Sequence, residues 1–83
     1  MLRKHANATY STETKQDNAE GWIAIHLLRE AGGSRTQVAS VTYWDAMGQF
    51  SIVVPTEVPL TIVEEMIAEA RRLVPGAYLG PAR

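Results

Sequence analysis

Apolar and β-branched residues crowd two short runs, Val38–Trp44 and Phe50–Val54, on either side of Asp45-Ala46-Met47-Gly48. In the first run Ala39, Val41 and Tyr43 alternate with Val38, Ser40, Thr42 and Trp44; in the second Phe50, Ile52 and Val54 alternate with Ser51 and Val53. A period of two is the mark of a strand. The pair therefore predicts a β-hairpin turning at Asp45–Gly48, with Gly48 the residue suited to positive φ. Pro55 has no N–H to donate and ends the second strand.

The period changes after Pro55. Val63, Met66, Ile67, Ala70, Leu73 and Val74 recur at i, i+3, i+4 and i+7 and predict an amphipathic helix over about Pro59 to Val74. Met66 and Ile67 lie in mid-stripe and are expected inside, with Glu65 and Glu69 outward. Pro59 suits a first helical position, and Arg71 and Arg72 near the end complement the helix dipole. Pro75-Gly76 stops the helix.

Trp22–Leu28 reads as a further strand, paired through Gly32-Gly33-Ser34 to the strand beginning near Thr36. The competing reading is a helix from about Asn18 to Ala31, which would hold Gly21 in its first turns at about 1 kcal/mol against Ala. Residues 1–20 are polar. Ala8, Tyr10, Thr12 and Thr14 alternate there with Thr9, Ser11 and Glu13, the pattern of a short edge strand or of a weakly ordered segment.

The expected architecture is α+β in two layers: an antiparallel three- or four-stranded β-meander with a C-terminal amphipathic helix on one face, in the order β-β-β-α. Its divisions are an N-terminal segment at 1–20, the α+β domain at 21–76 and an irregular tail at 77–83.

Composition narrows the function classes. The chain has 83 residues and no cysteine, so a small core must do without disulfides or thiolate metal sites. Missing cysteine also fits a reducing compartment, and cytoplasmic localisation is expected. No apolar run approaches the ~20 residues of a membrane span. The basic start Arg3-Lys4-His5 is followed by polar residues, unlike a secretory signal. The net charge of −1 is not that of a typical nucleic-acid binder.

Catalytic motifs are missing. His5 and His26 are far apart and no metal-ligand spacing surrounds them. Ser34 follows a glycine turn, not a nucleophile elbow, and Lys4 and Lys15 sit in no phosphate-cradling motif. No catalytic residue, metal or cofactor is assigned, and the chain is expected not to be an enzyme.

The aromatic strand residues remain. Trp22, Ala24, His26 and Leu28 form one face of their strand, and Ile23, Ile25 and Leu27 the other, so both faces are apolar while one helix covers one face. Tyr43 and Trp44 point to opposite faces, and one of them is left open. Trp22, His26, Tyr43 and Trp44 are thus the interface candidates. The expected function is a non-catalytic interaction domain that associates through an open apolar sheet face, most simply with a second copy, otherwise with another protein. The alternative is a nucleic-acid-binding accessory protein using Arg29, Arg35 and the strand aromatics, a reading the charge balance disfavours.

Overall fold

The computed structural model describes residues 1–73. Five strands, β1 (Leu2–His5), β2 (Ala8–Asp17), β3 (Trp22–Ala31), β4 (Ser34–Trp44) and β5 (Gln49–Val53), are followed by one helix, α1 (Leu60–Leu73). The strands form a single antiparallel meander in sequence order. The class is α+β, with five strands where three or four were expected. The additional strands come from residues 1–20, which build β1 and β2. The expected tail at 77–83, together with Val74 and the Pro75-Gly76 stop, lies outside the described residues.

Local chemistry explains the turns. Gly32 and Gly33 join β3 to β4 with φ of 58° and 81°. A two-residue hairpin loop with positive φ at both positions has the twist of the flanking strands, and glycine adopts it without a Cβ clash. The β2–β3 and β4–β5 loops share another construction. Each has four residues and ends on a glycine of positive φ, Gly21 at 77° and Gly48 at 67°. Gly21 N–H donates to the Asp17 carbonyl at 2.8 Å, and Gly48 N–H to the Trp44 carbonyl at 2.8 Å. The Asp45 N–H then donates to the Gly21 carbonyl at 2.8 Å, tying the two loops at one end of the sheet.

The core lies between α1 and one sheet face. Ile25 stands opposite Val41, and Leu27 opposite Ala39. These four, with Tyr10 of β2 and Ile62, Met66 and Ala70 of α1, are buried in one cluster. Val38 joins them at 1% exposure. Strict alternation placed Val38 with Ser40, Thr42 and Trp44, and the structure corrects this. Leu27 pairs with Ala39 but Leu28 pairs with Gln37, so Val38 is the extra residue of a β-bulge. A bulge sets two residues against one and re-aims a side chain; here it turns Val38 under the helix.

The helix is also rotated from its expected stripe. Ile62, Met66 and Ala70, at i, i+4 and i+8, are buried, while Val63 and Ile67 are only partly covered and Leu73 is 41% exposed. The Pro59 carbonyl accepts from the Ile62 and Val63 N–H groups, so Pro59 caps the helix and Leu60 begins it.

Glu65 and Glu69 do not simply point to solvent. Glu65 pairs with Arg3 at 2.9 Å. The Glu69 carboxylate accepts from the Thr12 hydroxyl at 3.0 and 3.1 Å and lies 3.3 Å from the Met1 amino group. The physical reason is that β1 and β2 supply donors on the helix side of the sheet. These pairs tie α1 to β1 and β2.

Candidate protein interface

The alternation of the strands about the core fixes what stands on the open face. Trp22, Ala24, His26 and Leu28 of β3 are there, beside Ser40, Thr42 and Trp44 of β4 and Ser51 and Val53 of β5. Trp22 and Trp44 are direct cross-strand partners, with ring centroids 6.5 Å apart and planes inclined at 57°. Such a tilted pair stabilises the strand junction beyond its area. Trp44 remains 37% exposed. His26 is half-buried in the middle of the face, between Glu13 and Ser40 in register.

Tyr43 is not with them. It points to the helix side, aligned with Ile23 and Phe50, at 6% exposure and 5.2 Å from the Phe50 ring. Of the four interface candidates, Trp22, His26 and Trp44 share a face and Tyr43 is a core residue.

The cationic pair is separated as well. Arg29 aligns with Tyr10 and Thr36 on the helix side. Arg35 aligns with Glu30 on the open side and pairs with Glu13 at 3.2 Å. The Glu30–Arg35 row lies eight residues along β3 from the Trp22–Trp44 row, roughly 26 Å at ~3.3 Å per residue. No continuous track joins these cations to the indole rings.

The sheet edge at β5 escaped notice in the sequence. Ile52 is 48% exposed, Val53 57% and Val54 39%, and Met47 in the preceding turn is 59% exposed. Ile52 faces the helix side, opposite Val41, yet α1 leaves it half in solvent. A notch of about 130 Å³ opens there, lined by Val41, Phe50, Ser51, Ile52, Ile67 and Arg71. The available signal was the absence of any charged residue from Ala46 through Thr56.

For metal chemistry, no three His, Cys, Asp or Glu side chains gather closely enough to hold an ion among the described residues. No helix among them is long and apolar enough to cross a membrane. In comparisons with protein families, with curated proteins and with solved structures, the chain matches none.

Proposed function

We propose that this chain is a non-catalytic interaction domain that associates with a second copy of itself through the open side of its sheet. The observation that carries this reading is where exposed apolar area collects. Trp44 and Val53 are exposed on the open face, with Met47 in the β4–β5 turn, Val54 just past β5 and Ile52 on the helix side of the same edge. Contiguous exposed apolar surface on a small domain marks an interaction site, and interface cores are enriched in aromatic residues and poor in charge. A two-fold pairing buries the same patch on both copies. A domain of this size without disulfides gains most from such added burial. Its place of action is a reducing compartment such as the cytoplasm.

The nucleic-acid alternative has less support, because Arg29 and Arg35 stand on opposite faces and Arg35 is paired to Glu13. Light scattering at micromolar concentration, with and without a generic single-stranded oligonucleotide, tests the choice. Twice the 9.1 kDa chain mass is expected in both samples. A single-chain mass that rises only when the oligonucleotide is added would reverse the ranking.

A further inference from the structure

The side chain at the centre of the open sheet face is a histidine. From its place we infer that self-association is gated by pH through His26: two copies pair while its imidazole is neutral and separate when it takes up a proton. This rests on the self-association proposed above and adds its regulation.

The first support is position. β3 is the middle strand of the five. Its open-side residues are Trp22, Ala24, His26, Leu28 and Glu30, so His26 is the central residue of the central strand. A two-fold that pairs this face with itself lies in the plane between the copies and passes through the centre of the patch. His26 therefore meets its own equivalent, whatever the angle at which the strands of the two sheets cross.

The second is the fit around that centre. With the axis running across the strands, positions equally far from His26 on either side of it face each other. Leu28 then meets the partner's Ala24, a large side chain on a small one. Asp17, in the Trp22–Trp44 row, comes to the row of the partner's Lys4, which stands beside Thr9 and Glu30 at the other end of the face. Opposite charges thus fall together at both ends.

The third is the charge around His26. On β2, Glu13 stands directly across from it, and Lys15 is its diagonal neighbour. Glu13 already pairs with Arg35 at 3.2 Å. β4 and β5 present Ser40, Thr42 and Val53 at this level, and α1 packs on the other side of the sheet. Among the described residues, a protonated His26 would therefore join two cations and one carboxylate that is already paired.

The chemistry at the axis follows. Two neutral imidazoles satisfy each other, because the N–H of one ring donates to the bare nitrogen of the other. Two imidazolium rings are donors only and repel, and enclosing them between two faces adds a desolvation cost. The associated form therefore binds fewer protons than the separated chains. Association is strong above the ordinary imidazole range and is lost as pH falls through it. Excluding one proton weakens association about tenfold for each pH unit below that range, and excluding two about a hundredfold.

Sedimentation equilibrium over a concentration series, at about pH 7.5 and about pH 5.5, reads the dissociation constant on either side of the imidazole range. The native chain is expected to bind itself at least ~10-fold more weakly at the lower pH. His5→Gln, at the exposed end of β1, should behave as the native chain does. His26→Gln keeps a donor and an acceptor but does not titrate, and it should pair at both pH values without a comparable change. His26→Thr, a strand-forming substitution, repeats the test on a second background. Native dimers equally tight at both pH values, or His26 variants that keep the native pH response, would overturn the gate and leave self-association standing. A native single-chain mass at both pH values would overturn self-association and the gate together. Far-UV circular dichroism of the same samples separates dissociation from unfolding; dissociation that comes with loss of the sheet signal would count against the gate.

Discussion

The two edges of this sheet are built oppositely. β1 is short and cationic, and it is tied to the helix: Arg3 reaches Glu65, and the Met1 amino group and Thr12 reach Glu69. β5 is uncharged, and its helix-side residue Ile52 is 48% exposed. A single helix is too narrow to cover five strands evenly, about 10–12 Å across with its side chains against ~4.8 Å per strand. Where it settles decides how far it covers each edge. Here polar pairs tie the helix to β1 and β2, and at the β5 edge Ile52, Val53 and Val54 stay exposed beside a notch.

The comparison can be broken at the helix. Met66, 0% exposed, is the centre of the helix–sheet contact for both halves. Met66→Ala should cost about 2–5 kcal/mol, the range for burying a cavity in a core. Denaturant unfolding would measure it, and the same experiment on Ile67→Ala, at the β5 flank, should give a clearly smaller loss. Equal losses would mean that the β5 flank of α1 is packed as tightly as its centre.

The β1 side can be released next. Glu69→Ala removes a charge-assisted hydrogen bond to Thr12 in a half-buried setting. A cost of about 1.5–3 kcal/mol is expected, as for hydrogen bonds to charged groups. It should lower the melting temperature and speed amide exchange in β1 and β2 before β4 and β5. Faster exchange confined to β5 would contradict the pinning described above.

A smaller effect is expected at the turn that launches β5. Gly48 has φ of 67°, in the left-handed region, and a Cβ there would meet nothing within 4 Å. The penalty for Gly48→Val is therefore conformational, about 1–2 kcal/mol, against little for Ala46→Val in the same loop. Thermal melts of the two variants would show the difference; similar melting temperatures would count against the strained turn.

Which parts of this were legible in the sequence follows from where each signal resides. β3, β4 and the Gly32-Gly33 turn were readable because strands buried on one face alternate strongly and a two-glycine loop has a defined geometry. β2 was half visible: Tyr10 and its alternating threonines have strand character, but an outer strand with much of its surface in water carries little hydrophobic period. The bulge at Val38 was invisible, since one extra residue leaves composition unchanged while reversing a side chain. The helix existed on the page, but its rotation did not. Ile62 rather than Leu73 completes the buried line, and the polar partners of its flank, Arg3 and Thr12, lie about sixty residues away in the chain. On the open face, Trp22 and His26 were grouped by alternation, whereas the sequence left Tyr43 and Trp44 as a choice of faces that only the helix position resolves.

Sedimentation equilibrium on the native chain beside two edge variants, Val53→Lys on β5 and Lys4→Val on β1, tests the inequality of the edges most directly. Val53 is 57% exposed, so a lysine there should leave the fold and melting behaviour of the single chain intact. The native protein and Lys4→Val should sediment at twice the 9.1 kDa chain mass, and Val53→Lys at the single-chain mass. A native single-chain mass, or a Val53→Lys protein that still sediments as a dimer, would contradict the proposed association through the open side of the sheet.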